Sequence, residues 1–192
     1  MPAPGKDFFR AVRQSLGDLP IIAEDLGVIT PDVVELRETN NLPGMRIFQF
    51  AFDSDPTDPF LPHHYPVNCV VYTGTHDNDT ARGWYERVPE KDKAFYRQYM
   101  DRGGDNVSWD MIRGAWSSVA MFSLAPMQDF LCLGNEARMN YPGNPSGNWM
   151  WRMSAKDQSP ELQAKIKTLN YLYSRLNENQ GASTSLDDSD LL

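Results

Sequence analysis

The stretch VVYTGTHDNDTARGWYE, residues 70–86, begins as an apolar run and then breaks into polar and acidic residues around a glycine. Its apolar part has no polar alternation, which is typical of a strand covered on both faces. A helical pattern follows within a few residues, through Trp84 and Tyr85. The stretch therefore predicts a βα unit that leaves His76 and Asp77 at the carboxyl end of a buried strand.

The same order of elements recurs along the chain. Apolar runs that predict strands occupy residues 21–23, 43–52, 68–77 and 123–134. Helical patterns are found at residues 7–17, 30–41, 84–85, 108–122 and 159–176. The predicted N-caps are Thr30, Ser108 and Ser159, and proline follows the first and the last of them. Apolar strands that alternate with helices indicate an α/β fold with a parallel sheet and outer helices. About four βα units suit either a doubly wound sheet or about half of a (β/α)8 barrel.

Composition limits the classes of partner and of location. The 192-residue chain suits one domain or a large part of one. Residues 1–178 are expected to form the α/β unit, and the acidic, aperiodic residues 179–192 a disordered tail. A net charge of -8 disfavours nucleic acid as a partner. No apolar stretch long enough for a membrane span and no secretory leader are found, which predicts a cytoplasmic protein without a membrane partner.

Acidic residues follow two of the predicted strands, as Glu24-Asp25 and His76-Asp77. Barrels and open α/β sheets place their chemistry at the carboxyl ends of strands. Glycosyl transfer needs an acid that protonates the leaving oxygen and an anion that stabilises an oxocarbenium-like state. Glu24 and Asp77 suit those two parts. The alternative is that both acids cap the helices that follow their strands, since Asp is a frequent N-cap.

Five segments in series resemble one known family. They are IIAEDLGVITPDVVELR (21–37), LPGMRIFQFAF (42–52), LPHHYP (61–66), VVYTGTHDNDTARGWY (70–85) and LGNEARMNYPGNPSGNWMWR (133–152). Together they resemble the C-terminal part of the 4-alpha-glucanotransferases (amylomaltases, disproportionating enzymes) of glycoside hydrolase family 77. The resemblance implies a (β/α)8 barrel that cuts an α-1,4-glucan, keeps the glycosyl part as a covalent enzyme intermediate, and transfers it to the 4-hydroxyl of another sugar. It implies maltooligosaccharides as partners, and no metal or organic cofactor.

The resemblance also suggests site residues. Glu24 in AEDLG resembles the general acid/base, and Asp77 in GTHD resembles the carboxylate that stabilises the transition state. His76 resembles a hydroxyl-binding neighbour, although a histidine satisfied by a backbone carbonyl is the alternative. Asn140 resembles a residue that hydrogen-bonds the glucan, which an amide does well because it both donates and accepts. Phe50 resembles an aromatic that packs on the glucan, although a Phe in an apolar run is often core.

The second carboxylate of a retaining glycosidase is missing from these segments. Such an enzyme needs a nucleophile about 5 Å from the acid/base. The family places it in an R-x-D-H-type motif one strand earlier, and residues 1–19 contain no such motif. We therefore expect either a fragment of a longer enzyme or half a barrel, whose open sheet edges predict self-association or pairing with an N-terminal half.

Two functions stay open at this stage. One is the C-terminal catalytic part of a 4-alpha-glucanotransferase, and the other is a glucan-binding or interaction remnant without catalysis. Whether the isolated chain is an enzyme is thus left open. A metal-dependent hydrolase built on His76, Asp77 and Asp79 is disfavoured, because these residues lack the spacing and partners of metal ligands.

Overall fold

The computed structural model describes residues 3–176. These residues divide into two compact units, with the boundary between residues 151 and 152. The predicted tail, residues 179–192, and the boundary that precedes it lie outside the described residues. No helix in the described part is long and apolar enough to cross a membrane.

The first unit contains a parallel sheet of three strands in the order β1-β2-β3. These strands are β1 (Gly44–Ile47), β2 (Cys69–Tyr72) and β3 (Phe122–Leu124). The central strand is covered on both faces, since Cys69, Val70 and Val71 are fully buried. That burial explains its continuous apolar run. The parallel arrangement predicted from the sequence is confirmed.

The described residues contain seven α-helices, six of them in the first unit. They are α1 (Gly5–Leu16), α2 (Pro31–Thr39), α3 (Ala81–Arg87), α4 (Glu90–Met100), α5 (Val107–Trp116), α6 (Met127–Phe130) and, in the second unit, α7 (Pro160–Leu172). The predicted cap of α7 is present, because the Ser159 hydroxyl accepts the Leu162 N–H at 3.2 Å. The predicted N-cap of α5 was wrong by two positions, because Asn106 and not Ser108 occupies the N-cap position.

The strand predicted at residues 21–23 does not form. The Ala23 N–H donates to the Pro43 carbonyl at 2.9 Å, which begins a ladder beside β1. The next available donor, the Met45 N–H, instead donates to the Asp25 carboxylate at 2.6 Å. A side chain thus takes the place of a backbone carbonyl, and the segment is held without becoming a strand.

The other three predicted strands are shorter than expected. The run 68–77 forms a strand only at Cys69–Tyr72. Residues of the run 43–52 leave the sheet after Ile47 and form a 3-10 helix, Phe48–Phe52. This turn buries both Phe48 and Phe52, whose rings lie 5.3 Å apart. The run 123–134 leaves the sheet after Leu124, because Pro126 has no N–H for a ladder and precedes α6. The described sheet therefore has three strands where the sequence indicated four.

An aromatic cluster packs the end of β1 against the helices that follow β2. The Phe52 ring lies 5.5 Å from Trp84 in α3 and 5.2 Å from Tyr96 in α4, centroid to centroid. Tyr96 is fully buried, and this burial raises the pKa of its phenol. The cluster fixes α3 against the sheet, and with it the loop that runs from β2 to α3.

Candidate active site

A cleft of about 550 Å³ opens where the strands end. Glu24 and Asp77, which follow different predicted strands, both line it. Its other polar walls are the loop after β2, together with Gln128 and Arg138. Asp77 follows β2 at the carboxyl edge of the sheet. Glu24 borders the same space because hydrogen bonds at Ala23 and Asp25 hold its segment beside β1.

Asp25 fixes the backbone next to Glu24. Besides the Met45 N–H, the Asp25 carboxylate faces the Arg37 guanidinium at 3.2 Å and that of Arg46 at 4.0 Å. The Asp25 side chain is only 8% exposed, so its interactions with the two guanidinium groups are largely shielded from water. Glu24 itself is exposed toward the cleft. A buried ionic contact thus anchors a segment that has no strand ladder.

Tyr72, the last residue of β2, lines the cleft together with Glu24. Burial raises the pKa of the Tyr72 phenol, and the negative charge of Glu24 raises it further. The phenol is therefore a neutral hydrogen-bonding group at ordinary pH.

Residues 74–80, which we call the Asp77 loop, connect β2 to α3 and form hydrogen bonds with one another. The Asn78 carboxamide oxygen accepts both the N–H and the hydroxyl of Thr75 at 2.8 Å. The Thr75 hydroxyl in turn accepts the Asp77 N–H at 3.2 Å. The cap of α3 is Thr80, whose hydroxyl accepts the Gly83 N–H at 3.0 Å.

The capping alternative for the two acids is therefore wrong. Thr80 caps α3, and Thr30 occupies the N-cap position of α2. Asp77 and Glu24 occupy neither position. Their side chains face the cleft instead, which leaves them available for a ligand.

Three of the predicted site residues lie in contact. The Asn140 amide donates to Asp77 Oδ1 at 2.5 Å, and the Asn140 N–H donates to the His76 carbonyl at 3.1 Å. His76 Nε2 lies 3.4 Å from the same Asp77 oxygen. The His76 ring also packs against Trp149, with centroids 5.0 Å apart. The side chains of His76 and Asp77 remain about half exposed.

Arg138 connects these residues and was not assigned from the sequence. Its guanidinium donates to the Asp77 carbonyl at 2.6 Å and to the Asn140 carbonyl at 2.8 Å. It also lies over the Tyr141 ring, 4.4 Å from the centroid. Its presence in the segment ARMNYPG was the only sequence signal for this role.

The Asp79 carboxylate is held by hydrogen bonds and an ion pair with residues within and outside the Asp77 loop. Its carboxylate accepts the Asn135 amide at 2.8 Å and the Thr80 N–H at 2.8 Å, and it lies 3.7 Å from Arg87. The Asp79 side chain is 8% exposed. This acid therefore ties α3 to the segment after α6. In residues 3–176 no group of three or more His, Cys, Asp or Glu side chains is arranged to hold a metal ion.

Phe50 is not a core residue. It is 40% exposed, whereas Phe48 and Phe52 on either side of it are buried. Its ring packs edge-on against Phe60 with centroids 5.5 Å apart. Phe50 borders a second cleft of about 480 Å³, and Asp77 lines that cleft as well as the first. An exposed ring therefore stands beside the loop that holds the acid.

Asp129 in α6 is fully buried behind the Asp77 loop. Burial raises the pKa of its carboxyl to about 6, although hydrogen bonds from Thr73 and Ala81 oppose the rise. The nearby charge of Asp79 adds to it. Asp129 is thus a buried acid that the fold uses only through hydrogen bonds.

The free energy of unfolding should depend on pH through Asp129. The native state holds this proton more tightly than the unfolded chain, so the contribution favours the native state at about pH 4 and is lost as pH rises through about 6. In Asp129→Asn the side chain is an amide, which has no ionisable proton in this pH range. The free energy of unfolding of this variant relative to the unsubstituted chain should therefore rise by about 2 kcal/mol between about pH 4 and about pH 6.5. Urea unfolding at both pH values measures this, and a constant difference would contradict it.

Parallel strands, outer helices and a cleft bordered by carboxylates at the strand ends define a βα protein with its site at the carboxyl end of the sheet. A sequence profile of glycoside hydrolase family 77, described as 4-alpha-glucanotransferase, matches residues 1–158. The chain belongs to this family.

Individual relatives agree with the family match. A 4-alpha-glucanotransferase of Thermus thermophilus is 47% identical over 175 residues, which are 87% of this chain and 35% of the relative. A chloroplastic/amyloplastic 4-alpha-glucanotransferase of Solanum tuberosum is 48% identical over 167 residues, 86% of this chain and 29% of the relative. The chain thus spans about a third of the length of the curated relatives that it matches.

A solved structure confirms the fold class. The amylomaltase from Streptococcus agalactiae in complex with acarbose superposes with a TM-score of 0.88 at 36% identity, over 92% of this chain and 36% of that one. The predicted α/β class is therefore correct, with parallel strands and outer helices that form part of a (β/α)8 barrel.

Proposed function

We propose that this chain supplies the acid/base side of the active site of a 4-alpha-glucanotransferase, which transfers α-1,4-glucan segments to the 4-hydroxyl of an acceptor sugar with retention. The observation that supports this is that Glu24 and Asp77 border one cleft at the carboxyl end of the sheet. The similar amylomaltase from Streptococcus agalactiae was solved with acarbose bound. In the proposal the ligand is a maltooligosaccharide.

Each site residue has a part in this proposal. Glu24 protonates the leaving glycosidic oxygen, and its carboxylate then accepts the proton of the acceptor hydroxyl. Asp77 stabilises the oxocarbenium-like state with its negative charge. Asn140 holds one Asp77 oxygen at 2.5 Å, which leaves the other oxygen for sugar hydroxyls. His76 binds a hydroxyl, and the exposed ring of Phe50 packs on the glucan.

The nucleophile belongs, in this proposal, to the part of the family that this chain does not match. Asp7 and Asp18 are the two acids before residue 20. They pair with Arg10 and Arg13 at the surface, and neither lines the cleft. This observation favours the second candidate for the chain by itself, which is a glucan-binding module without catalysis.

We also propose that the chain associates with an N-terminal part of such a barrel or with a second copy of itself. Phe122 and Leu124 on the outer strand of the described sheet are 51% and 42% exposed, which leaves apolar side chains for a partner to cover. A cytoplasmic location remains a prediction, and the Solanum relative is named chloroplastic/amyloplastic.

The test is glucose release from maltotriose by a hybrid in which this chain replaces the matching part of the Thermus thermophilus relative. We expect activity, and we expect it to persist in the presence of EDTA, because the proposed chemistry uses carboxylates alone. A folded hybrid without activity would contradict the catalytic proposal. Maltotriose binding by the same inactive hybrid would then support the glucan-binding alternative.

A further inference from the structure

A single buried carboxylate is bonded to both ends of the Asp77 loop. Asp129 Oδ2 accepts the Thr73 hydroxyl at 2.6 Å, and Asp129 Oδ1 accepts the Ala81 N–H at 2.7 Å. Thr73 immediately precedes the loop at the end of β2, and Ala81 is the first residue of α3. The Asp129 carboxyl group therefore bridges the two ends and limits the distance between Thr73 and Ala81.

The neighbouring residue holds the second segment that reaches Asp77. Gln128 donates its amide to the Ala137 carbonyl at 3.1 Å. The residue after Ala137 is Arg138, which donates to the Asp77 carbonyl at 2.6 Å. Consecutive residues of α6 thus hold the loop that bears Asp77 and the segment that contacts it.

The α6 turn is itself fixed to the core. The Phe130 ring packs edge-on against Trp109 and Trp116 of α5, with centroids 5.7 and 5.8 Å away. Trp109 and Trp116 are 7% exposed, and Asp129 is fully buried. A rigid support of this kind is what the placement of a charged group within a fraction of an ångström requires.

We propose that Asp129 is a positioning residue that, with Gln128, sets the place of the Asp77 carboxylate in the cleft. This inference rests on the proposed function, because it assigns Asp129 a role through Asp77. Asp129 does not line the cleft and does not touch a ligand there. Its effect on glucan binding is transmitted by the backbone between Thr73 and Ala81.

The chemistry of the bridge predicts which substitutions it tolerates. The Ala81 N–H is a donor only, so one atom at position 129 must accept. The Thr73 hydroxyl both donates and accepts, so it can turn to accept from an amide. Asp129→Asn therefore keeps both bonds, whereas Asp129→Ala loses both. Thr73→Val loses one bond and keeps the side-chain shape, and Thr73→Ser keeps the hydroxyl.

Amide hydrogen exchange on the 192-residue chain tests the bridge without any glucan. In Asp129→Ala we expect exchange at Ala81 and in the Asp77 loop to rise at least tenfold more than exchange at Val71 in β2. Asp129→Asn should stay within about threefold of the unsubstituted chain, since it keeps the bonds. Ile47→Val, a fully buried change in β1, is the control for general destabilisation.

Equal increases at Ala81 and Val71 in Asp129→Ala would overturn the proposal, because Asp129 would then act on stability alone. An increase in exchange at Ala81 that is as large in Asp129→Asn as in Asp129→Ala would also overturn the proposal. Where Asp129→Ala does not fold, Thr73→Val against Thr73→Ser gives the same comparison, with the larger local increase expected for Thr73→Val.

Maltotriose titration is the second readout. We expect the dissociation constant to rise at least tenfold in Asp129→Ala or Thr73→Val, and to stay unchanged in Ile47→Val. An unchanged constant in a variant with rapid loop exchange would overturn the positioning role. If the unsubstituted chain binds no maltotriose, the proposed function fails for this chain, while the exchange pattern still decides whether Asp129 holds the loop.

Discussion

Glu24→Gln in the hybrid enzyme should lower the rate of glucose release from maltotriose by about 10²- to 10⁴-fold, the usual worth of general acid–base catalysis. Glutamine keeps the size of the side chain and can still form hydrogen bonds. It has no acidic proton to give to the leaving oxygen. Glu24 lines the cleft together with Tyr72, and the anchor at Asp25 remains intact in this variant. The loss should fall mainly on kcat, because the proton moves in the transition state.

Glu35→Gln is the matched control for that variant. Glu35 lies on α2, pairs with Lys6 at the surface, and does not line the cleft. We expect its rate to match that of the unsubstituted hybrid. If Glu24→Gln loses no more activity than Glu35→Gln, Glu24 is not the acid/base and the proposed mechanism is wrong.

Asp25→Ala should destabilise the chain by about 3–5 kcal/mol, the usual cost of leaving buried charges without their partner. The variant leaves Arg37, whose side chain is 10% exposed, and Arg46, 17% exposed, without this carboxylate. It also leaves the Met45 N–H without its acceptor. Urea unfolding followed by tryptophan fluorescence gives the change in free energy.

Asp18→Ala controls for the removal of an acid that pairs with an arginine. Asp18 meets Arg13 at 3.1 Å, but its side chain is 91% exposed, so water and salt screen the pair. We expect no shift of its urea midpoint. Equal midpoints for Asp25→Ala and Asp18→Ala would show that the Asp25 contacts do not anchor the segment next to Glu24.

Local signals in the sequence were sufficient for several elements. The order Thr30-Pro31-Asp32 predicted the start of α2, and Ser159-Pro160 predicted that of α7, because caps and N1 proline act within one turn. The apolar run before Tyr72 predicted β2, since both of its faces are covered.

Elements that depend on distant partners were not predictable in this way. Residues 21–23 are apolar like a strand, but a side-chain bond to Met45 from 20 positions away ends their ladder. The turn at Phe48–Phe52 is favoured by aromatic partners in α3 and α4. Such long-range packing leaves no period in the sequence.

The residues of the candidate site also differ in whether the sequence alone could predict their place. The rule that strand ends meet at one edge predicted Glu24 and Asp77 together, although the strand predicted before Glu24 does not form. Asn140 lies 63 positions from Asp77, and its motif suggested a glucan-binding role but not the contact with Asp77 that the structure shows. Arg138 and Asp129 act through backbone carbonyls, hydroxyls and amides that no spacing rule reveals.

The most direct test of the central claim is an amide chemical-shift map of the 192-residue chain titrated with maltotriose. The claim is that the cleft between Glu24 and Asp77 is a glucan site. We predict saturable shifts at residues 75–79 and 138–141, with little change in α1, which does not line the cleft. Saturable shifts confined to other surfaces, or no shifts at millimolar maltotriose, would contradict the claim.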